Sequence, residues 1–169
     1  IKNVAFTQSA DTLLLVHPDV PPKKLTRNPG GVWLLQDWEF FTDNNVVQQP
    51  YYKFAGTAAT ITPGGTSGTI SLTSSEAVFT AQHEGTRLRI GGKEVLVTDF
   101  DSPTVVTANV IQTLGSAAAT IDWAEQAFSP ARGYPVTVAF HQDRLVIGGS
   151  RDLPNRLWFS KSGDLFNFD

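Results

Sequence analysis

The chain has 169 residues, a formal net charge of −3, 41% hydrophobic residues and 17% charged residues. This length predicts one domain, or one domain with a small insert, and the acidic balance argues against a basic nucleic-acid binder. Cys is absent, which excludes disulfides, thiolate nucleophiles and Cys-ligated zinc. The longest apolar run is far shorter than the ~20 residues of a membrane-spanning helix, so no membrane segment is expected. Met is also absent, even at position 1, which predicts that the chain is a piece of a longer protein.

Short alternating runs separated by turn residues make up the whole sequence, and long helical stripes are missing. This pattern is typical of all-β proteins. Residues 1–54 contain an apolar strand, Asp11, a second apolar strand, a turn at Pro21 and Pro22, a third strand and a turn at Gly31.

Residues 55–128 are rich in Thr and predict an inserted small β-barrel or sandwich of about five or six short strands. Gly91 and Gly92 separate two alternating runs and supply the positive φ of a tight hairpin turn. Pro103 marks another turn, and residues 104–110 predict the strand that follows it. Residues 75–82 are the only plausible helical piece, and they fit a short turn or strand equally well.

Residues 129–169 repeat the pattern of the first flank. Residues 4–8 are echoed by residues 138–142, and after a slip of two residues a constant offset of 132 pairs Asp11 with Asp143 and Lys24 with Arg156. Recurring strand–turn–strand units are typical of β-propeller blades, each of which buries its faces against its neighbours. Closed propellers have four or more blades, so two copies again predict a piece of something larger. The alternative is two unrelated hairpins of similar composition.

The expected fold is therefore all-β. It combines a discontinuous propeller-blade-like β-sheet region, residues 1–54 plus 129–169, with an inserted small β-barrel, residues 55–128. The flanks must pair with each other, which places Phe6 and Phe140 in adjoining sheets. At least one outer sheet face remains open, and we expect association through it. The aromatic residues available to line that face are Trp33, Trp38, Trp158 and Phe166.

Candidates for chemistry are few. The three His residues lie in separate predicted elements, and no Ser lies in a G-x-S-x-G elbow. Asp99 and Asp101 share a face of an extended chain and lie about 7 Å apart. Two carboxylates at this spacing could ligate Ca²⁺ or flank a glycosidic bond that is hydrolysed. A polar strand end that runs into the turn at Pro103 explains the same two residues. We expect no enzyme activity, no cofactor and no metal site.

Basic and aromatic residues of the flanks are the candidate interface. The basic ones are expected on the same turn of each copy, as a band on one rim: Lys23, Lys24, Arg27, Arg144, Arg151 and Arg156. Such a band suits acidic partner subunits or passing DNA; alternatively, these are solvated residues that keep strand edges from pairing. Trp33 and Trp158 complete the candidate interface. With Trp38 and Trp123 they form either a sugar-stacking platform or buried anchors.

Six segments of the two flanks carry a resemblance to a known family: residues 6–18, 21–27, 132–135, 140–145, 148–150 and 157–168. These segments resemble conserved stretches of tailed-bacteriophage and prophage tail proteins. These segments are similar to the short-tail nozzle, or tail tubular protein B, class, in which they belong to a propeller-like platform. The middle region, with Phe79 and residues 83–85 and 88–90, resembles a small β-barrel inserted in such chains. That barrel is similar in fold alone to the first catalytic-cysteine half-domain of ubiquitin-activating enzymes, since no Cys here can carry a thioester.

The resemblance implies a structural component of a phage or prophage tail that acts through assembly. Its expected partners are other tail subunits, in a homo-oligomeric ring of the parent protein, and phage DNA in transient contact. Its expected location is the virion, or the bacterial cytoplasm as a prophage product. The alternative function is a carbohydrate-binding or glycosidase propeller segment that recognises a host glycan.

Overall fold

A computed structural model describes residues 2–168 of the chain. Within that range the chain forms 16 β-strands and a single turn of 3₁₀ helix, Ala81–His83, so the all-β expectation is confirmed. The strands are β1 Ala5–Ser9, β2 Thr12–His17, β3 Val20–Arg27, β4 Trp33–Asp37, β5 Thr42–Asp43, β6 Val46–Val47, β7 Tyr51–Tyr52, β8 Ile61–Pro63, β9 Thr69–Ser74, β10 Arg87–Ile90, β11 Lys93–Ser102, β12 Val105–Val110, β13 Trp123–Gln126, β14 Thr137–His141, β15 Arg144–Gly148 and β16 Leu157–Phe159.

The chain divides into two compact units. The outer unit comprises Ile1–Thr42, Val47–Pro50 and Phe128–Asp169, and the inner unit comprises Asp43–Val46 and Tyr51–Ala127. The inner unit thus begins before the expected boundary at residue 55. The reason is that β7 pairs with β13, with Tyr52 opposite Glu125, and so belongs to the inner sheet.

The outer unit contains two antiparallel sheets of consecutive strands. The first sheet has the order β1-β2-β3-β4 and the second has the order β14-β15-β16. A two-residue turn joins the first two strands of each sheet. Ala10 (φ 49°) and Gln142 (φ 47°) occupy the same left-handed position of these turns, a conformation that the twist of a tight hairpin demands.

The first hairpin is repeated with an identical register at an offset of 132. Ala5 faces Val16 in one copy, and Thr137 faces Gly148 in the other. The offset already holds at the first strand, so the register counterpart of Phe6 is Val138. The expected match of residues 4–8 with 138–142 is therefore wrong in structural terms, because the two-residue turns fix the register.

The third strands depart from the repeat by three residues. Leu14 of the first sheet faces Lys24, whereas its counterpart Val146 faces Phe159. A short turn at residues 18–19 leads into β3, but residues 149–156 form a longer loop before β16. The expected equivalence of Lys24 and Arg156 is therefore wrong, since the extra loop residues shift the strand that follows them.

The two sheets adjoin within the outer unit, where β14 lies against both β1 and β2. Buried apolar side chains come from both sheets, among them Leu14 and Val16 of the first and Leu145 and Ile147 of the second. Elsewhere in the unit, the Trp38 ring makes an edge contact with Phe166 at 5.7 Å between centroids.

The inner unit is built on one antiparallel sheet with the strand order β7-β13-β10-β11-β12-β9-β8. Gly91 (φ 55°) and Gly92 (φ 73°) form the tight turn between β10 and β11, as predicted. Ile61 of β8 exchanges backbone hydrogen bonds of 2.9 Å with Thr120, just before β13, so the two margins of the sheet are joined. Alternating residues fill the core between them: Ile61, Ile70, Leu72, Leu88, Val95, Val97, Val106, Ala108 and Trp123.

Candidate functional site

The first three basic candidates, Lys23, Lys24 and Arg27, were expected in a turn but lie in strand β3. Lys23 and Lys24 are consecutive residues of this strand, so their side chains leave opposite faces of the sheet. Lys23 faces Asp37 across the β3–β4 pair and forms an ion pair with it. A single basic band that contains both lysines is therefore excluded by the pleat of the strand.

Arg27 lies at the end of β3, opposite Trp33 of β4. Its guanidinium carbon is 5.8 Å from the centroid of the Trp33 ring, a cation–π arrangement. Both side chains are exposed, and Trp33 retains 59% of its accessible surface. This pair is the part of the expected interface in which a basic and an aromatic candidate come together.

The basic candidates of the second flank are spread over different elements. Arg144 begins β15 and its Nη1 donates to the Ser160 carbonyl at 2.6 Å. Arg151 lies in the loop before β16, where its guanidinium donates to Asp152 and to the Ala131 carbonyl. Arg156 is an exposed residue of the same loop. Most of these charges are therefore committed to contacts within the chain.

Asp152 is the anionic centre of that loop. Arg151 Nε lies 2.9 Å from Asp152 Oδ1, and Arg132 Nη1 lies 3.5 Å from Oδ2. Burial by itself would raise the pKa of Asp152, but the hydrogen bonds and charges of the two arginines outweigh burial and lower it. The hydrogen bond that Arg151 donates to Asp152 in turn raises the pKa of Arg151.

The four tryptophans do not form a common platform. Trp38 and Trp123 are buried, and the Trp123 indole N–H donates to the Ala59 carbonyl at 3.0 Å. Trp158 is half-buried and its ring makes an edge contact with Phe128 at 5.0 Å. Of the four, only Trp33 is exposed, and the other three are buried or partly buried anchors of the sheets.

The first sheet presents an open apolar surface that the sequence reasoning missed. Its apolar members share one side of the four strands by register, and we call this surface the Phe6 face: Phe6, Leu13, Leu15, Leu25, Trp33 and Leu35. The Lys23–Asp37 ion pair and Arg27 lie on the same side by the same register. Phe6 is 66% exposed and Leu35 is 62% exposed. The expected lining of an open face thus holds for Trp33 and is wrong for Trp38, which is buried.

A second open apolar surface lies on the second sheet. We call it the Phe159 face; its members are Ala139, Val146, Leu157 and Phe159. Leu157 is 58% exposed and Phe159 is 49% exposed. The Leu157 side chain lies across Gly148, where an added Cβ would come within 2.3 Å of Leu157 Cδ2. Trp158 points to the other side of this sheet, towards Phe128.

An open cleft of about 640 Å³ lies in the outer unit between the turn of the first hairpin and that of its repeat. Its lining residues are Gln8, Ser9, Phe140, His141, Gln142, Asp143, Ser162, Gly163 and Leu165. Asp143 is the single carboxylate among these described residues. Glycoside hydrolysis ordinarily uses two carboxylates about 5–9.5 Å apart, and the lining of the cleft supplies one.

The inner unit buries two carboxylates that the sequence did not single out. Glu94 is 0% exposed; the Tyr51 hydroxyl and Arg87 Nη1 donate to its two oxygens. Glu125 is also buried and accepts from His83 Nε2 at 3.1 Å. An alternating strand with a charged residue at a core position is the only signal that could have revealed either group.

His83 stands between a hydroxyl and a carboxylate, in the order of a hydrolase triad. Thr80 Oγ1 lies 3.1 Å from His83 Nδ1, but the Thr80 backbone N–H also donates to that nitrogen, at 3.0 Å. A backbone amide can only donate, so Nδ1 accepts and Nε2 carries the proton that is shared with Glu125. Because the Nδ1 lone pair is already engaged, His83 serves to anchor the 3₁₀ turn to β13.

The remaining chemical candidates are dispersed. Asp99 lies opposite Thr107 beside an irregularity in the β11–β12 pairing, and Asp101 accepts from Thr107 Oγ1 at 2.9 Å. Among residues 2–168, no group of three or more His, Asp or Glu side chains is arranged to hold a metal ion.

Comparisons with known proteins give no family assignment: no protein-family model and no curated protein sequence matches the chain. Within the part of the chain that the structure describes, no helix has the length and apolar character needed to cross a membrane.

Proposed function

We propose that this chain is a structural component of a phage or prophage tail, of the nozzle or tube-like kind, and that it acts through assembly. The observation that supports this function is the repeated antiparallel meander of the outer unit. Each of its two sheets has one buried apolar side and one open apolar side. Exposed apolar patches of this kind are typical of interaction surfaces.

The proposed architecture is a pair of propeller-like blades that carries the inner β unit as an insert. A propeller blade is an antiparallel sheet that buries both faces against its neighbours, and the open Phe6 and Phe159 faces have the composition that such neighbours require. The partners are other tail subunits, arranged as a homo-oligomeric ring. The location is the virion, or the bacterial cytoplasm when the gene resides in a prophage.

A role in contact with DNA is a further part of the proposal, and it is confined to a few side chains. Lys23 and Arg151 each have an acidic partner, which lowers their attraction for phosphate. Lys24, Arg27, Arg144 and Arg156 are the other basic candidates, and weak phosphate contacts would be adequate for a DNA strand that only passes by. Charge reversal at Lys24 and Arg156 should leave the fold intact and impair tail assembly or DNA delivery.

The direct test is the composition of particles from a host that carries the gene. We expect peptides of this chain in purified tails, identified by mass spectrometry, and portal or tail-fibre genes beside its reading frame. Expression of the chain without incorporation into particles, in a genome neighbourhood devoted to carbohydrate metabolism, would contradict the proposal.

The carbohydrate alternative is supported by exposed Trp33 and by the open cleft beside His141 and Asp143. A glycan array and a panel of chromogenic glycosides test it directly. Binding at micromolar affinity that is lost in Trp33→Ala or Asp143→Asn would favour this second function. No binding on the array and no hydrolysis of the glycosides, together with recovery of the chain in tails, would reject the carbohydrate function.

A further inference from the structure

The two sheets of the outer unit expose opposite sides of the same repeated hairpin. In the first sheet, Leu14 and Val16 are buried, and the side that carries Leu13 and Leu15 is open. At the offset of 132, Leu13 and Leu15 correspond to Leu145 and Ile147, which are fully buried in the second sheet. The side that is open in one copy is thus closed in the other.

The internal packing explains this inversion. Since β14 lies against β1 and β2, the sheets meet within one unit, and each contributes its buried side. The buried side of the first sheet carries Leu14, whose counterpart in the second sheet is Val146, whereas the buried side of the second sheet carries Leu145, the counterpart of Leu13. The two buried sides are therefore not equivalent in the repeat, and we call them unlike sides. The unit therefore already contains one contact between unlike sides, and the two that remain free are again an unlike pair: the Phe6 face and the Phe159 face.

We propose that a second copy of this chain docks its Phe159 face on the Phe6 face of the first, in a head-to-tail arrangement that repeats the internal packing. The Phe6 face contains an apolar groove of about 350 Å³, lined in part by Val4, Leu15, Pro21 and Leu35. Leu157 and Phe159 are exposed on the Phe159 face and supply the apolar side chains that such a groove accepts.

The size of the surface sets the strength of this contact. Four strands about 4.8 Å apart and about five residues long give the Phe6 face roughly 300 Å² in projection, and the Phe159 face, on a three-stranded sheet, is smaller. A stable protein interface buries about 800 Å² of accessible surface per partner, so the contact is a weak one. We expect a dissociation constant between about 10 µM and 1 mM.

The symmetry of the contact is its distinguishing property. Because two different surfaces meet, each docked copy leaves one Phe6 face and one Phe159 face free, and the association does not stop at a dimer. An isologous contact between two identical faces would stop there. The inference stands on the geometry of the outer unit and does not rest on the proposed role in a tail.

Two charged variants separate the faces. Leu35→Glu blocks the Phe6 face and leaves the Phe159 face intact, whereas Phe159→Glu does the reverse. Ile121→Glu is the matched control, since Ile121 is 59% exposed and lies in the inner unit. Phe6→Glu is a second variant of the first face. Far-UV circular dichroism verifies that each variant is folded.

Sedimentation velocity from about 10 µM to 1 mM, the range set by the expected affinity, measures the outcome. We expect the native chain and Ile121→Glu to grow beyond the dimer with concentration. Leu35→Glu and Phe159→Glu should each remain monomeric, with association weakened at least tenfold, but an equimolar mixture should form a one-to-one dimer. A native chain that remains monomeric, or that stops at a dimer, overturns the proposal. So does a mixture of the two variants that fails to associate, or a control that behaves as they do.

Discussion

Replacing Arg87 by Met removes a cationic partner of the buried Glu94 carboxylate. Arg87 Nη1 lies 2.5 Å from Glu94 Oε2, and the side chains are 22% and 0% exposed. The Tyr51 hydroxyl remains as a donor to the other carboxylate oxygen. Met retains most of the aliphatic volume of Arg, so the substitution tests the charge and its hydrogen bonds more than the packing.

The expected cost follows from the burial of the pair. Removing one partner of a buried ion pair destabilises a protein by about 3–5 kcal/mol. We expect about 3 kcal/mol, the low end of that range, because Arg87 is 22% exposed and water screens part of the interaction. For a unit of this size, each kcal/mol lowers the melting temperature by about 4–8 °C, so the inner unit should melt about 12–24 °C lower.

Urea unfolding combined with hydrogen exchange across Tyr51–Ala127 assigns the loss to the inner unit. In the double variant Arg87→Met/Glu94→Gln the cost should fall to about 1–2 kcal/mol, since a buried amide costs less than a buried charge. Lys93→Met, an exposed position of the same hairpin, should change stability by less than about 0.5 kcal/mol. A loss below about 1 kcal/mol in Arg87→Met, or no recovery in the double variant, would refute the reasoning.

Three further predictions concern the outer unit. Gly148→Ala should cost about 1–3 kcal/mol in urea unfolding, because the new Cβ would lie 2.7 Å from a backbone carbonyl oxygen, whereas Gly115→Ala has nothing within 4 Å and should be nearly neutral. Ala10→Gly should raise the free energy of unfolding, measured in urea, by about 0.5 kcal/mol, since relief of the left-handed strain exceeds the extra entropy of the unfolded chain. An unchanged or lower free energy of unfolding would contradict this. Asp152→Asn should cost about 0.2–1 kcal/mol at pH 7. Because the pKa of Asp152 is lowered in the fold by Arg151 against the opposing effect of burial, this difference should persist above the unfolded pKa near 4 and vanish as the pH falls through the folded value. A difference that is independent of pH would show that the charge is not its source.

Local features of the sequence determined the strands and the tight turns. Alternation and β-branched residues fixed the class, and Gly91–Gly92 fixed a two-residue hairpin, because both signals act between neighbours in the chain. The repeat around Asp11 and Asp143 likewise predicted two equivalent hairpins, and their registers are identical.

The tertiary structure alone decided the register of the third strands and the open side of each sheet. Residues 13–16 are apolar on both sides of β2, so alternation could not tell which side is buried. The eight residues between β15 and β16 displaced the pairing of Val146 by three positions, and nothing local in the sequence fixes where a loop of that length returns. The burial of Glu94 also depends on partners distant in sequence, Tyr51 foremost. Periodicity is a property of a single strand, whereas the choice of a buried side requires the neighbour that covers it.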